Sequence, residues 1–280
     1  MKQRVISAVV AAIIVIPLLI IGGIPLSIGL SILAAIGLWE LLRLRDKKNP
    51  YPLLIKILAF ICLELLVFSI PVANFNNNGI GLKFLPIALS TLALSIPAVF
   101  YKKENYSTKD AFSILGIILL LGVFFGALIG IANTPILAGT SNKIAGQWLL
   151  LYLFLIAACT DTFAMIIGCL IGKHKLIPAV SPKKSVEGSI AGSIMGTAIA
   201  SLYYINIIGD YKTIFVIIMT FVLTILGQVG DLFFSKIKRE NDIKDFSNIM
   251  PGHGGILDRL DSFSFIVLGY ILMTALISLL

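Results

Sequence analysis

Charged residues are scarce in this sequence. They make up 13% of the 280 residues, against 58% hydrophobic residues, and the mean hydropathy is +1.02. Soluble domains carry roughly 25% charged and 45–50% apolar residues, so the composition excludes a water-soluble fold. The apolar residues fall in runs of about twenty, which is the length of a helix that crosses a hydrocarbon core.

Cysteine is also rare, and the spacing of the cysteines indicates neither a metal site nor a disulfide framework. Cys62, Cys159 and Cys169 lie inside apolar runs without the close spacing of a metal site or a disulfide framework. We therefore interpret them as small buried hydrophobic residues. The first apolar run, 5–21, is followed almost at once by a second, 24–42. We therefore interpret the first run as a retained membrane span and not as a cleaved leader.

The apolar runs predict an all-α, polytopic integral membrane protein with about nine transmembrane helices. The predicted spans are 5–21, 24–42, 53–70, 84–101, 111–132, 147–171, 186–208, 213–234 and 263–280. Basic residues concentrate in alternate connections, so the positive-inside rule places those connections and the N-terminus in the cytoplasm. This asymmetry and anionic lipid headgroups account for the net charge of +8 without nucleic acid as a partner.

The whole chain, 1–280, is predicted to be one membrane domain. Within it, the helices of 1–134 would form a scaffold, and those of 145–280 would carry two cytoplasmic catalytic loops, 172–188 and 235–262. Long loops with glycine, proline and both signs of charge commonly carry function on a rigid scaffold.

Carboxylates and cations alternate in the 235–262 segment. If the chain is already helical there, Asp258 and Asp261 project from one helix face, and Asp231 adds a third carboxylate at the end of the preceding helix. Such oxygen ligands suit Mg²⁺, which recruits substrate phosphates. The pattern therefore indicates a nucleotide triphosphate site, with a set of surface salt bridges as the alternative.

The same segment contains the turn Pro251-Gly252-His253-Gly254-Gly255. Its glycines predict a backbone that turns sharply or approaches a ligand closely. Free amides there would suit phosphate oxygens. His253 would contact phosphate or assist proton movement, or would be an ordinary loop histidine.

The run Ser181-Pro182-Lys183-Lys184-Ser185-Val186-Glu187-Gly188 opens the predicted seventh helix. Either Ser181 or Ser185 would be the N-cap. Two lysines converge there with free helical N–H groups, an arrangement that binds phosphate well, although a positive-inside anchor is the alternative. The helix then carries a ridge of small residues on which another helix can pack closely: Gly188, Gly192, Gly196 and Ala200.

Asp161 lies well inside the sixth apolar run. An ionised side chain there costs roughly 2.5–3.5 kcal/mol on insertion scales, so it requires a partner or a cavity. Either a functional role or an interhelical hydrogen bond would meet this requirement. Glu40 and Glu64 are weaker candidates, because Glu40 lies near a helix end beside Arg43 and Glu64 can be explained by packing or pairing.

These residues resemble the signature of the phosphatidate cytidylyltransferase (CDP-diacylglycerol synthase) family. The matching positions are Ser235, Lys238-Arg239, Lys244-Asp245, Pro251-Gly252-His253-Gly254-Gly255 and Asp258-Arg259-Leu260-Asp261. An ordered match of this length is far more specific than a lone glycine motif. The runs 181–188 and 161–164 also resemble family motifs, although Met165 stands where Tyr is expected, and Met250 replaces Leu, Ile or Phe. The resemblance covers the C-terminal half.

The resemblance implies transfer of the cytidylyl group of CTP to phosphatidic acid, which gives CDP-diacylglycerol and pyrophosphate. Three carboxylates, Asp231, Asp258 and Asp261, would hold Mg²⁺, with a second monovalent or divalent cation as an option. Lys238, Arg239, Lys244 and Arg259 would neutralise the triphosphate, and Ser181, Lys183, Lys184 and the glycine turn would position a phosphate. The predicted catalytic set also includes Asp245 and His253, and the predicted substrate-binding set also includes Asp161, Pro182, Ser185, Glu187, Gly188, Ser235, Gly252, Gly254 and Gly255.

The resemblance further implies membrane lipids as partners, a homodimer, and a place in the bacterial cytoplasmic (inner) membrane with the active site facing the cytoplasm. One alternative function keeps CTP but transfers its γ-phosphate, as in a polyprenol or phytol kinase. A more distant alternative is an ion transporter that uses Asp161 within the membrane.

Overall fold

The computed structural model describes residues 13, 15–46, 49–73, 80–133, 136–137, 143–144, 146–209, 212–252 and 254–277. Helices dominate these residues. The helices are α1 (15–21), α2 (Gly23–Asp46), α3 (Leu53–Ala73), α4 (Ile80–Phe100), α5 (Thr108–Asn133), α6 (Gly146–Ile171), α7 (Val186–Ile207), α8 (Thr213–Glu240) and α9 (Leu257–Ile277). Four short strands complete the list: β1 (Ile136–Leu137), β2 (Lys143–Ile144), β3 (Lys175–Ile177) and β4 (Ser181–Ser185).

Six of the described helices are long and apolar enough to cross a membrane, namely α2, α5, α6, α7, α8 and α9. Many of their large hydrophobic side chains are exposed, as expected for surfaces that face lipid. The predicted all-α, polytopic membrane fold is therefore confirmed. The count of nine spans stays a prediction, because α3 and α4 are not among these six and most of the predicted span 5–21 lies outside the described residues.

Helix α8 is longer than the sequence pattern predicted. The predicted span ended at 234, whereas α8 continues to Glu240, so Ser235, Lys238 and Arg239 lie on a helix and not in a loop. The helix ends where Asp242 takes a left-handed conformation with φ of 52°. Amides of Asp242 and Ile243 then bond back to the carbonyls of Arg239 and Lys238, which is a Schellman arrangement that satisfies the last carbonyls.

The predicted loop 172–188 also contains regular structure. Strands β3 and β4 pair as an antiparallel hairpin, with Lys175 opposite Ser185 and Ile177 opposite Ser181, and α7 begins at Val186. The N-cap is Ser185, whose hydroxyl accepts the Gly188 amide at 3.2 Å. The alternative cap, Ser181, is the first residue of β4 and lies five residues before the helix begins, so it does not cap α7.

Residue packing divides the chain into two compact units. One unit contains the chain up to Gly130 together with Phe246–Leu257, and the other contains Ile131–Asp245 together with Asp258–Leu280. In the first unit, Arg45 of α2 forms a salt bridge with Asp110 of α5 at 3.1 Å, and its guanidinium lies 4.3 Å from the ring centre of Tyr51. One arginine thus joins two helices and the connection that follows α2.

In the second unit, the predicted ridge of small residues on α7 packs against α6. A Cβ on Gly192 would lie 2.6 Å from the Thr160 carbonyl oxygen, and one on Gly188 would lie 2.5 Å from the Ala164 carbonyl oxygen. No side chain fits at such distances, so the two backbones approach as closely as glycine allows. The predicted role of the ridge in close helix packing is confirmed.

We predict that Gly192→Ala will lower the stability of the protein by about 1–3 kcal/mol, because the added methyl group overpacks the α6–α7 contact. Thermal unfolding in detergent micelles measures the loss. The matched control is Gly116→Ala on α5, where a Cβ would meet no atom within 4 Å. Equal melting temperatures for the two variants would contradict the close packing.

Candidate active site

The first two turns of α9 carry two of the predicted metal ligands. Because α9 begins at Leu257, both Asp258 and Asp261 are helical, as the predicted common face required. Their surroundings nevertheless differ. Asp258 accepts a hydrogen bond from Lys238 at 2.7 Å, and the two side chains are only 4% and 11% exposed. This ion pair is buried, and it depends on the unpredicted last turns of α8.

Asp231 is held from two directions. Lys184 of β4 forms a salt bridge with one carboxylate oxygen, and the Ser235 hydroxyl donates to the other at 3.2 Å. The hairpin that replaces the predicted loop therefore delivers its lysine to α8. Of the two adjacent lysines, Lys183 is exposed, whereas Lys184 is partly buried in this contact.

Asp161 and Asp261 meet at Ser262. The Ser262 hydroxyl donates to Asp161 at 3.1 Å, while the Ser262 amide donates to Asp261 at 2.8 Å. Asp161 lies ten residues, or about 15 Å, before the Ile171 end of α6, and yet it is exposed. The Ser262 hydroxyl gives this carboxylate a polar partner among the apolar helices. The interhelical hydrogen bond considered from the sequence is present.

Three carboxylates from three helices are close enough to interact. The charges of Asp231 and Asp161 both act on Asp261, and the Lys184 charge acts on Asp161. Glycine explains the proximity, since a Cβ on Gly230 of α8 would lie 2.7 Å from the Asp261 carbonyl oxygen of α9. Two small residues, Gly227 and Gly230, let these two helix backbones approach each other.

Glu187, in the first turn of α7, binds the residues that precede strand β3 of the hairpin. Its carboxylate accepts the amides of Lys173 and His174 at 3.1 and 3.2 Å, and it lies 2.6 Å from Nδ1 of His174. These contacts occupy the side chain that was predicted to bind substrate. Arg239 is exposed and donates to the carbonyls of Val180 and Ile243, each at 3.4 Å.

Other predicted residues lie at the surface of the second unit. They are Pro182, Lys183, Lys244, Asp245 and Arg259, all of which are exposed. Ser181 is half-buried on β4. Exposure leaves the side chains of these residues accessible to a ligand that arrives from water.

The glycine turn belongs to the first unit. Gly252 and Gly254 both have positive φ, at 77° and 88°, as the predicted sharp turn requires. Met250 and Gly254 exchange two backbone hydrogen bonds, so the Gly254 amide already has a carbonyl partner, and the predicted contact of the turn with phosphate stays a prediction. His253 lies outside the described residues, and the prediction for it stays open.

Glu40 has more partners in the structure than its sequence position beside Arg43 indicated. Its side chain is completely buried, and it accepts hydrogen bonds from the Ser247 hydroxyl and from the amides of Ile256 and Leu257. Gln228 was missed altogether. It bonds Ser189 and Ser193 of α7 from α8, and its only sequence signal is a polar residue between Gly227 and Gly230.

The carboxylates fit Mg²⁺ in their chemistry. Among the described residues, no three histidine, cysteine, aspartate or glutamate side chains are already placed to hold a metal ion. Asp161 and Asp261 nevertheless form no salt bridge within the described part of the chain, and like charges so close together favour a bound cation. Oxygen donors with substrate phosphates suit a hard divalent ion. Of the predicted ligands, Asp258 is the one already neutralised by a buried lysine.

We predict that Asp258→Asn will destabilise the protein by about 3–5 kcal/mol, since it leaves the buried Lys238 charge unpaired. The double variant Lys238→Met/Asp258→Asn should recover much of this loss. Unfolding in detergent measures both effects. Lys236→Gln is the control, because the Lys236–Glu240 pair is 65% and 62% exposed and should contribute at most about 1 kcal/mol. An Asp258→Asn variant as stable as that control would argue against the buried pair.

Comparison with known proteins gives matches along nearly the entire chain. The model of the cytidylyltransferase family matches residues 2–277. Three relatives each carry the name phosphatidate cytidylyltransferase. The protein of Bacillus subtilis is 32% identical over 271 residues, which cover 95% of both chains. The proteins of Staphylococcus haemolyticus and Staphylococcus aureus strain COL are 35% and 36% identical, and each match covers 95% of this chain and 96% of the relative.

Proposed function

This chain belongs to the cytidylyltransferase family, and from that premise we propose that it transfers the cytidylyl group of CTP to phosphatidic acid. The resemblance noted in the sequence is confirmed and extends beyond the C-terminal half to residues 2–277. One observation carries the proposal: three membrane helices bring Asp161, Asp231 and Asp261 together beside Lys184. Such a cluster suits a triphosphate.

In the proposed reaction, an oxygen of the phosphatidic acid phosphate forms a bond to the α-phosphorus of CTP. The bond from that phosphorus to the oxygen that bridges to the β-phosphate breaks, and pyrophosphate leaves. The reaction requires no nucleophile from the protein, because positioning and charge neutralisation carry most phosphoryl-type transfers. The structure is suited to this chemistry, since its site consists of carboxylates, lysines and hydroxyl groups.

In the proposed site, cationic side chains would bind the phosphate groups and carboxylates would bind the metal ion. Lys238, Arg239, Lys244 and Arg259 would neutralise the triphosphate, and Ser181, Lys183 and Lys184 would position a phosphate. Asp231 and Asp261, with Asp161 or Asp258, would hold Mg²⁺, which would supply neutralisation of charge on the triphosphate and leaving pyrophosphate. A second cation is compatible with the remaining carboxylates. Because Lys184 and Lys238 are paired with Asp231 and Asp258, each lysine can exchange its carboxylate for a phosphate when a metal ion and nucleotide bind.

The proposal includes a location and an assembly. The protein is an integral membrane protein, and the distribution of basic residues supports an active site on the cytoplasmic face of a bacterial inner membrane. Phosphatidic acid would then reach the site laterally from the bilayer, while CTP would arrive from water. A homodimer is part of the proposal through the family resemblance, and molecular mass in detergent-free nanodiscs tests it.

We predict that the purified protein will move label from [α-³²P]CTP into an organic-extractable lipid when dioleoyl phosphatidic acid and Mg²⁺ are present, and will release pyrophosphate. Chelation of Mg²⁺ should stop the transfer. Label that moves only from the γ-phosphate to an added prenol would instead establish the kinase alternative. No transfer by folded protein would reopen the transporter alternative.

We predict that Asp231→Asn and Asp261→Asn will each lower kcat by about 10²-fold or more and raise the Mg²⁺ concentration needed for half-maximal rate, because each removes a charge that acts on the transition state. Lys236→Gln, on the exposed face of α8, is the control and should keep its rate. Asp161→Asn and Asp258→Asn, measured in the same way, identify the third ligand. A folded Asp258→Asn variant with normal Mg²⁺ dependence would remove Asp258 from the metal set.

A further inference from the structure

Glu40 of α2 binds one short segment with both of its carboxylate oxygens. Oε1 accepts the Ser247 hydroxyl at 2.5 Å and the Ile256 amide at 2.9 Å, and Oε2 accepts the Leu257 amide at 2.9 Å. The side chain has no solvent exposure. A buried carboxylate is stable only where hydrogen bonds replace its hydration, so these three donors are required.

The two amides belong to the beginning of α9. The first amides of a helix have no partner within the helix and need an acceptor from elsewhere. The chain offers no local cap there, because Gly254, Gly255 and Ile256 carry no side-chain acceptor before Leu257. Glu40 supplies this cap from more than two hundred positions earlier, and its negative charge also favours the positive end of the helix dipole.

Gly255 makes this contact sterically possible. A Cβ at that position would lie 2.3 Å from Oε1 of Glu40 and 2.8 Å from its carboxyl carbon. No side chain can occupy that space while the carboxylate is in place. The final glycine of the Pro251–Gly255 turn is therefore explained by Glu40, with no need for a substrate contact.

We infer that Glu40 is a positioning residue for the reaction, which acts by fixing where α9 begins. Each residue of an α-helix rotates the side-chain direction by about 100°, so a start displaced by one residue would turn Asp258 and Asp261 away from their present directions. Asp258 directly follows Leu257, whose amide Glu40 holds. This inference rests on the proposed function, in which Asp261 helps to hold the metal ion and Asp258 is a candidate for its third ligand.

The principal test variant is Glu40→Gln. Its amide group would present N–H to a backbone amide that also donates, so one of the two cap bonds is lost. Partners that orient ligands in this indirect way typically contribute about 10–100-fold to metal affinity or activity. We expect Glu40→Gln to lower kcat by about that factor and to raise the Mg²⁺ concentration for half-maximal rate, while the KM for phosphatidic acid changes little.

Two further variants control for folding. Glu64→Gln is the matched control, since Glu64 also lies on an apolar helix of the first unit and accepts a hydrogen bond from Ser31 at 2.6 Å. It should keep wild-type kinetics. Ser247→Ala removes one donor to Glu40 and is mild enough to test the inference if Glu40→Gln does not fold. It should raise the half-saturating Mg²⁺ concentration a few-fold, and this effect should vanish in a Glu40→Gln background.

Hydrogen exchange provides a measurement that does not depend on activity. In Glu40→Gln, loss of a hydrogen bond to a charged acceptor should speed exchange of whichever amide faces the new N–H group, that of Ile256 or that of Leu257, about 10–100-fold. Faster exchange with altered Mg²⁺ dependence would support the inference. Unchanged Mg²⁺ dependence in folded Glu40→Gln, or in Ser247→Ala if the first variant does not fold, would overturn it. An inactive wild type with the expected exchange pattern would refute the proposed function and leave the cap in place.

Discussion

A carboxylate inside an apolar helical protein must be matched by a donor or a cation, because neither lipid nor a packed interior replaces water. Four side chains meet this requirement in different ways. Lys184 pairs with Asp231, Lys238 pairs with Asp258, Ser262 donates to Asp161, and backbone amides surround Glu40. Each match recruits an element of the fold. The hairpin delivers Lys184, the last turns of α8 deliver Lys238, and the beginning of α9 delivers Ser262. The elements of the fold are therefore arranged so that each of these carboxylates has a polar or cationic partner.

Small residues let the helices come close enough for these carboxylates to meet their partners. The ridge on α7 lets α6 approach at Thr160 and Ala164, and Gly230 lets α8 approach α9 at Asp261. Bulky side chains at those points would separate the helices by several ångströms. The carboxylates would then be too far apart to share a metal ion or a triphosphate. Under the proposed mechanism, which uses positioning and charge instead of a nucleophile, close helix packing is thus a direct requirement of the chemistry.

The signature segment serves two purposes that its continuous sequence conceals. The part from Pro251 to Leu257 builds a turn, through the Met250–Gly254 hydrogen bonds and the contact of Gly255 with Glu40. The part from Asp258 onward presents charged side chains from a helix. The signature thus combines residues that shape the backbone with charged residues that are proposed to act on ligands. The role of each has to be established position by position.

The sequence by itself determined the membrane class, most helix positions and the identity of the charged residues, because hydropathy and residue chemistry are local properties. It also indicated the packing ridge on α7 and the helical setting of Asp258 and Asp261. Only the tertiary structure decided which groups are partners. The Lys184–Asp231 pair, the hydrogen bond from Ser262 to Asp161 and the bonds to Glu40 all depend on contacts between segments far apart in the chain. Such contacts carry no local signal, since an isolated glutamate in an apolar run has the same appearance whether it binds a serine or caps a distant helix.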